Sequence, residues 1–230
     1  KNDFGEIEEL ARTINYGLVI GQEENGELVK NFTEEHLFVV EPSIFKIFDI
    51  HVKAGDPEKA LSRPFTVMLS TSAAKRYFED ETQAIGKRLR ANNTFDLEIT
   101  GLFEDFPDQA HWHPELLVSF STMENENIYG RAGLETNWGN NAFGTYVLLE
   151  EGADPKKLEA QFPAFLDKHY GTYAIANFGA PQDFVASKVT TLYTQKVSDV
   201  HLYSHLDDEI EVNGNINNVY MMGIIGLFII

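Results

Sequence analysis

At 230 residues, with 43% hydrophobic and 12% aromatic side chains, the chain has enough apolar material for one large domain or two small ones, which excludes wholesale disorder. Its 36 acidic against 18 basic side chains give a formal charge of −18, which repels nucleic-acid phosphates and disfavours flat adsorption on anionic lipid, so a nucleic-acid partner is excluded. The lack of cysteine excludes thiol catalysis, cysteine-type zinc sites and disulfide staples, and leaves the compartment open. The chain opens at Lys1-Asn2-Asp3 with neither an initiator Met nor a signal-like apolar stretch, and so reads as a piece of a longer protein.

Apolar residues at Ile7, Leu10, Ala11 and Ile14 have helical spacing and predict an amphipathic helix over 6–14. Extended runs at 16–20 and 28–32 flank Asn25-Gly26, a strong hairpin signal because both residues accept positive φ. Leu37 to Val40 reads as a strand, and Ile44, Phe45, Ile47 and Phe48 as a short helix after Pro42-Ser43. Beyond Gly55-Asp56-Pro57, a strand at 66–69 runs into Ser70-Thr71-Ser72, hydroxyl residues placed to cap a helix over 73–78 whose Ala74, Tyr77 and Phe78 face the core. A second hairpin is expected about Asn92-Asn93, because Phe95, Leu97 and Ile99 alternate with Asp96, Glu98 and Thr100.

Leu116, Val118 and Phe120 give a strand, residues 124–141 an Asn- and Gly-rich loop, and 143–149 another strand. Asp154-Pro155 starts a helix that Pro163 kinks or restarts. Residues 189–193 read as a last strand before an acidic stretch over 204–218. The final run, Val219 to Ile230, is apolar and uncharged but shorter than the roughly 20 residues a membrane span requires. Spacing alone leaves two readings of it: a buried C-terminal element, or the first turns of a membrane helix that continues past Ile230. The mixture of elements, without internal repeat, predicts an α+β fold.

No Gly-x-Ser-x-Gly, His-Glu-x-x-His or Gly-x-Gly-x-x-Gly pattern occurs. Gly86-Lys87 is followed by Arg88 where a phosphate loop needs Ser or Thr, so no nucleotide site is expected. His111-Trp112-His113 puts two imidazoles on one side of an extended segment, a chelating geometry, but lacks a third ligand nearby and is weighed as a surface or half-buried loop. His201 and His205 share a face only if that segment is helical, and it reads equally well as extended chain. Asp207-Asp208-Glu209 with Glu211 lacks the spacing of a calcium loop and reads as a solvated acidic stretch. Glu104 and Asp105, adjacent on an extended segment, point opposite ways and cannot flank one glycosidic bond. No catalytic, cofactor or metal residues are assigned.

Taken in order, several weak patterns become specific. Phe45-Lys46-Ile47-Phe48-Asp49, Ala54-Gly55-Asp56-Pro57, Val67-Met68-Leu69-Ser70 with Ala73 to Phe78, and Ile85-Gly86-Lys87 are followed by Ile99-Thr100-Gly101-Leu102, Asp105-Phe106-Pro107 and His111. Leu116 to Phe120, Asn137-Trp138, Tyr146 to Leu149 and Asp199-Val200-His201-Leu202 complete the series. The ordered set resembles the MacB-like periplasmic core domain of FtsX-like ABC transporter permeases, particularly the Bacteroidetes form. Glu6-Ile7-Glu8 also looks like the family's segment after its first membrane helix, with Gly5 in place of the usual proline.

The resemblance implies a two-lobed domain. Residues 1–55 with 122–218 are expected to form a porter-like lobe, 56–121 a smaller inserted αβ lobe, and 219–230 the start of a membrane helix. It also implies a non-catalytic role at the periplasmic face of the bacterial inner membrane, with membrane helices on both flanks. The implied partners are a cytoplasmic ABC ATPase, a second permease subunit and a periplasmic protein, and the implied work is coupling ATP-driven motion to export or release. The main alternative is a ligand-binding sensor domain between two membrane helices, which predicts a concave apolar pocket. A secreted hydrolase is a third reading, and predicts a converging catalytic cluster.

Overall fold

The computed structural model describes residues 2–24, 27–207 and 209–229. They divide into two compact units: Lys1–Asp105 with Pro114–Tyr193, and Phe106–His113 with Thr194–Ile230. The larger unit carries a mixed sheet that begins with β1 (Ile7–Asn15), β2 (Leu18–Glu24), β3 (Glu27–Glu34) and β4 (Leu37–Val40). The helix α1 (Ile44–Ile47) and β5 (Val52–Ala54) follow, then β6 (Thr66–Ser70), α2 (Thr71–Tyr77), β7 (Arg88–Ala91), β8 (Phe95–Phe103) and β9 (Leu116–Ser119). α3 (Arg131–Thr136) precedes β10 (Gly144–Leu149), after which come α4 (Pro155–Glu159), α5 (Phe162–Leu166) and α6 (Thr172–Asn177). The strand order is β10-β1-β4-β9-β6-β8-β7-β2-β3, with β5 paired to β8. β4–β9 and β6–β8 are parallel and the other pairs antiparallel. The α+β class expected from the sequence is the class observed.

Every residue of β4, β6 and β9 is buried, as the near-continuous apolar runs of central strands require. Leu37, Val39, Val67, Leu69, Leu116 and Val118 belong to one core with Ala73, Ala74 and Tyr77 of α2 and with Phe78 at its C-terminal cap. Phe38, Val40, Met68 and Leu117 alternate with them and are buried on the other face. Burying a side chain the size of Phe78 contributes roughly 1.5–3 kcal/mol, so the apolar face of α2 is what holds that helix down. Ser70 caps α2 by accepting from the Ala73 N–H at 3.1 Å. The hairpin β7–β8 turns at Asn92 and Asn93, with φ of 44° and 55°. β2 and β3 also form a hairpin, and Asn25-Gly26 at its tip lies outside the described residues.

Three expected elements differ, the first being the loop expected over 124–141, which contains α3. The helix expected over 6–14 is β1, paired to both β10 and β4. A bulge between Ile7 and Glu9 inserts a residue into the strand, so its apolar positions lose the two-residue period and mimic helical spacing. Residues 189–193 form no strand: Val189 and Tyr193 are exposed, and an apolar run without a ladder partner has nothing to hold it extended. Pro163 sits in the first turn of α5, the restart position. The segment 56–121 supplies four neighbouring strands, β9-β6-β8-β7, flanked by β4, β1 and β10 on one side and by β2 and β3 on the other.

The smaller unit has α7 (Val197–Tyr203) and α8 (Ile216–Ile229). Within it Phe106 packs edge-on against the buried Trp112, with ring centroids 5.6 Å apart. In α8 every residue from Asn217 to Leu227 is exposed, apolar ones included, so the terminal run is helical and is not a buried element. No helix among the described residues is long and apolar enough to cross a membrane.

Candidate functional site: a charged clamp behind the edge strand

β3, the last strand of the sheet, is fastened to α2 and β9 by charge. Glu34, at its end, is 2% exposed. Its carboxylate accepts from Arg76 Nη2 at 2.7 and 2.9 Å and from the Tyr77 hydroxyl at 2.5 Å. Arg76 donates also to Glu115 at 2.7 and 2.9 Å, so one guanidinium bridges the carboxylate that ends β3 and the one just ahead of β9. Two residues back, the Phe32 ring meets Tyr77 edge-on at 5.2 Å and lies 5.7 Å from the Arg76 guanidinium carbon. Two further back, Lys30 Nζ donates to the carbonyls of Arg76 and Tyr77 at 3.1 and 2.7 Å, a favourable place for a cation at the end of a helix.

The electrostatics follow from that geometry. The hydrogen bond from Arg76 holds the Glu115 carboxyl below its ordinary value despite partial burial. Burial, together with the hydrogen bond to Glu34, pushes the Tyr77 hydroxyl far up, so it stays a donor. The two carboxylates and their neighbours raise Arg76 against the effect of its own burial. The arrangement contains no nucleophile with an adjacent base. What it does is tie the end of β3 to α2 and to the residue ahead of β9.

A cleft of about 650 Å³ opens beside the clamp, lined by Lys30, Tyr77, Asp80, Lys87, Arg88 and Arg90 among others. Its walls are mostly charged, unlike the apolar pocket that a sensor domain predicts.

Of the candidate residues raised from the sequence, His113, His201, Glu209 and Glu211 gather within electrostatic reach of His111, whereas Glu104 and Asp105 part. Glu104 faces His51 at 3.3 Å, whereas Asp105 accepts from the Ser72 N–H and hydroxyl at 3.2 and 3.0 Å at the start of α2. Gly86 has φ of 81° in a tight turn, its N–H donating to the Ile99 carbonyl at 2.8 Å. His113 is held by Glu211 through its ring Nδ1 at 2.7 Å and its backbone N–H at 2.6 Å. His111 is buried, and burial lowers its pKa to about 4. His201 lies in α7 and His205 beyond its end, so the pair shares no helical face. Glu209 accepts from the Ser204 hydroxyl and the Leu206 N–H, and Asp208 lies outside the described residues. Among the described residues no group of three or more His, Cys, Asp or Glu is placed to hold a metal ion. Sequence reasoning missed Glu34 and Arg76, whose one visible signal is a carboxylate ending the run Leu28 to Phe32.

A mixed sheet whose central strands β4, β6 and β9 are buried on both faces, in a chain that also carries the exposed apolar helix α8, defines an α+β protein. Residues 2–165 match the family described as the MacB-like periplasmic core domain, and the chain belongs to that family. It is of the kind found as the periplasmic domain of MacB/FtsX-like ABC transporter permeases, which implies an extracytoplasmic location and an ATPase working with the parent protein. Among solved structures, a domain of a candidate permease protein from Porphyromonas gingivalis is similar at 25% identity and a TM-score of 0.61, over 73% of this chain and 67% of that one. The periplasmic region of MacB from Actinobacillus actinomycetemcomitans shares the fold at 17% identity and a TM-score of 0.53, over 73% and 70% of the two chains. No curated protein matches in sequence.

Proposed function

We propose that this domain is a non-catalytic transmission part of an ABC transporter permease subunit, carrying ATP-driven motion from the membrane to an exported substrate or a periplasmic partner. The observation that carries the reading is the family match over residues 2–165, which includes every strand of the sheet. α8 supports it: a helix apolar on every side and exposed from Asn217 to Leu227 is poorly suited to water and well suited to lipid, as the start of a membrane helix. The partners under this reading are a cytoplasmic ATPase, a second copy of the permease and a protein outside the membrane. Residues 56–121 act as the inserted lobe, which contributes the four adjacent strands β9-β6-β8-β7.

Transmission requires a stiff joint between the sheet-bearing unit and the helix. In the full-length permease, a flexible six-glycine linker between Asn215 and Ile216 should leave ATP hydrolysis in place while abolishing transport. Transport at the native rate with the linker present would sink the proposal.

A further inference from the structure

The sheet ends on β3, and the direction of that strand's outer backbone groups can be worked out from its neighbour β2. Val19 of β2 donates its N–H to Asn92 Oδ1 and accepts from the Asn92 N–H, both at 2.8 Å, so both its groups turn toward β7. Val19 stands opposite Thr33. In an antiparallel ladder, opposed residues either exchange both hydrogen bonds or both turn away, and the two kinds alternate. Thr33 therefore turns its N–H and C=O outward, and so does Asn31, opposite Gly21. Among the described residues no hydrogen bond occupies these groups.

Edge strands are usually blunted by proline, by lysine reaching across the edge, by a bulge or by a covering element, and the bulge of β3 lies at Val29, outside residues 30–34. β3 has no proline, and its Lys30 ammonium is folded back onto the carbonyls of α2. Lys30, Phe32 and Glu34, every second residue, anchor the strand from behind, while Asn31 and Thr33 are exposed. The strand is thus held extended in advance, which removes an ordering cost that a binding edge would otherwise bear. A bulge at Val29 limits the regular edge to residues 30–34, and beside it Leu28 and Val29 are 55% and 48% exposed.

We propose that the outer edge of residues 30–34 takes up an extended, basic segment of another protein as one more antiparallel strand. Main-chain hydrogen bonds to Asn31 and Thr33 supply the affinity, and Leu28 and Val29 give apolar contact at one end. The occupant is basic because Glu27 and Glu35, both exposed, flank the edge of a chain whose net charge is −18. A second copy would bring the same acids and the same charge, which disfavours pairing between copies.

The inference stands apart from the transport reading and is tested in solution on the 230-residue chain. The probe is a heptapeptide alternating valine and threonine between two terminal lysines, titrated while amide hydrogen exchange is followed by NMR. Exchange at the Asn31 and Thr33 amides should slow by roughly tenfold or more, with residues of the opposite edge β10 unchanged. Thr33→Pro removes one outward N–H without touching the β2 ladder and should weaken binding about tenfold, while Thr33→Val keeps it. Asn31→Pro makes the same test if the first variant does not fold. Unchanged exchange at both amides up to the peptide's solubility limit overturns the proposal, as does native-like binding by a folded proline variant. Self-association that protects Asn31 and Thr33 without peptide would assign the edge to a second copy and overturn the basic foreign strand.

Discussion

Arg76 shows how much one side chain can organise. Glu34 is almost fully buried as a carboxylate, and only the guanidinium and the Tyr77 hydroxyl make that burial tolerable. Arg76→Met keeps the aliphatic stem and removes the charge, so Glu34 is left buried without its cation. Chemical denaturation should show a loss of about 3 kcal/mol or more, against under about 1 kcal/mol for removing an exposed pair such as Arg63 with Glu98. His111 makes a second residue-scale prediction. Its folded-state pKa of about 4 lies below the ordinary 6.5, so the unfolded chain takes up the proton first. The stability that His111 contributes by being neutral is complete above pH 6.5 and is lost as pH falls toward 4, a change of roughly 3 kcal/mol. NMR titration of its ring should give a midpoint near 4, and a midpoint near 6.5 would contradict its burial. Residues acting on their own backbone were legible in the sequence: Ser70 as a cap, Asn92 and Asn93 as a turn, Asp154 ahead of Pro155. Glu34 was not, because its partners Arg76, Tyr77 and Glu115 come from distant segments and no local pattern records their meeting.

Among the elements, both hairpins, the strands of the central sheet and the capped helix α2 were readable, since alternation and turn chemistry are local. β1 was misread because its bulge disguises its period and its strand character comes from two neighbours, β4 and β10, rather than from its own residues. Residues 189–193 failed the other way, with strand-like composition and no neighbour. The two readings of β1 make opposite demands on Thr13, which is buried and stands opposite Gly144 and Val40. Thr13→Pro deletes a donor from an interior strand and should abolish the cooperative thermal transition, whereas Thr33→Pro on the outer edge should leave the circular dichroism spectrum native. A folded Thr13→Pro protein would mean that β1 is not held as an interior strand.

At the scale of the molecule, the ordered series of weak motifs from Phe45 to Leu202 was enough to point to the family, whose match ends at residue 165, because core and turn positions in fixed order constrain a fold more tightly than any one of them. The clamp and the open edge were not readable at that scale: Arg76 and Tyr77 stand in one of those motifs, but their meeting with Glu34 and Glu115 is made only by the folded chain. The sheet has one more property. It joins its earliest strand to its latest, Ile7 of β1 standing against Leu149 of β10. A nascent polypeptide therefore leaves one flank of β1 bare until residue 149 has left the ribosome, a non-local closure of the kind that folds late and slowly. Fragments stopping short of β10 should be sticky where the finished protein is not, which makes the period of synthesis, rather than the mature state, the time when this domain most needs a chaperone.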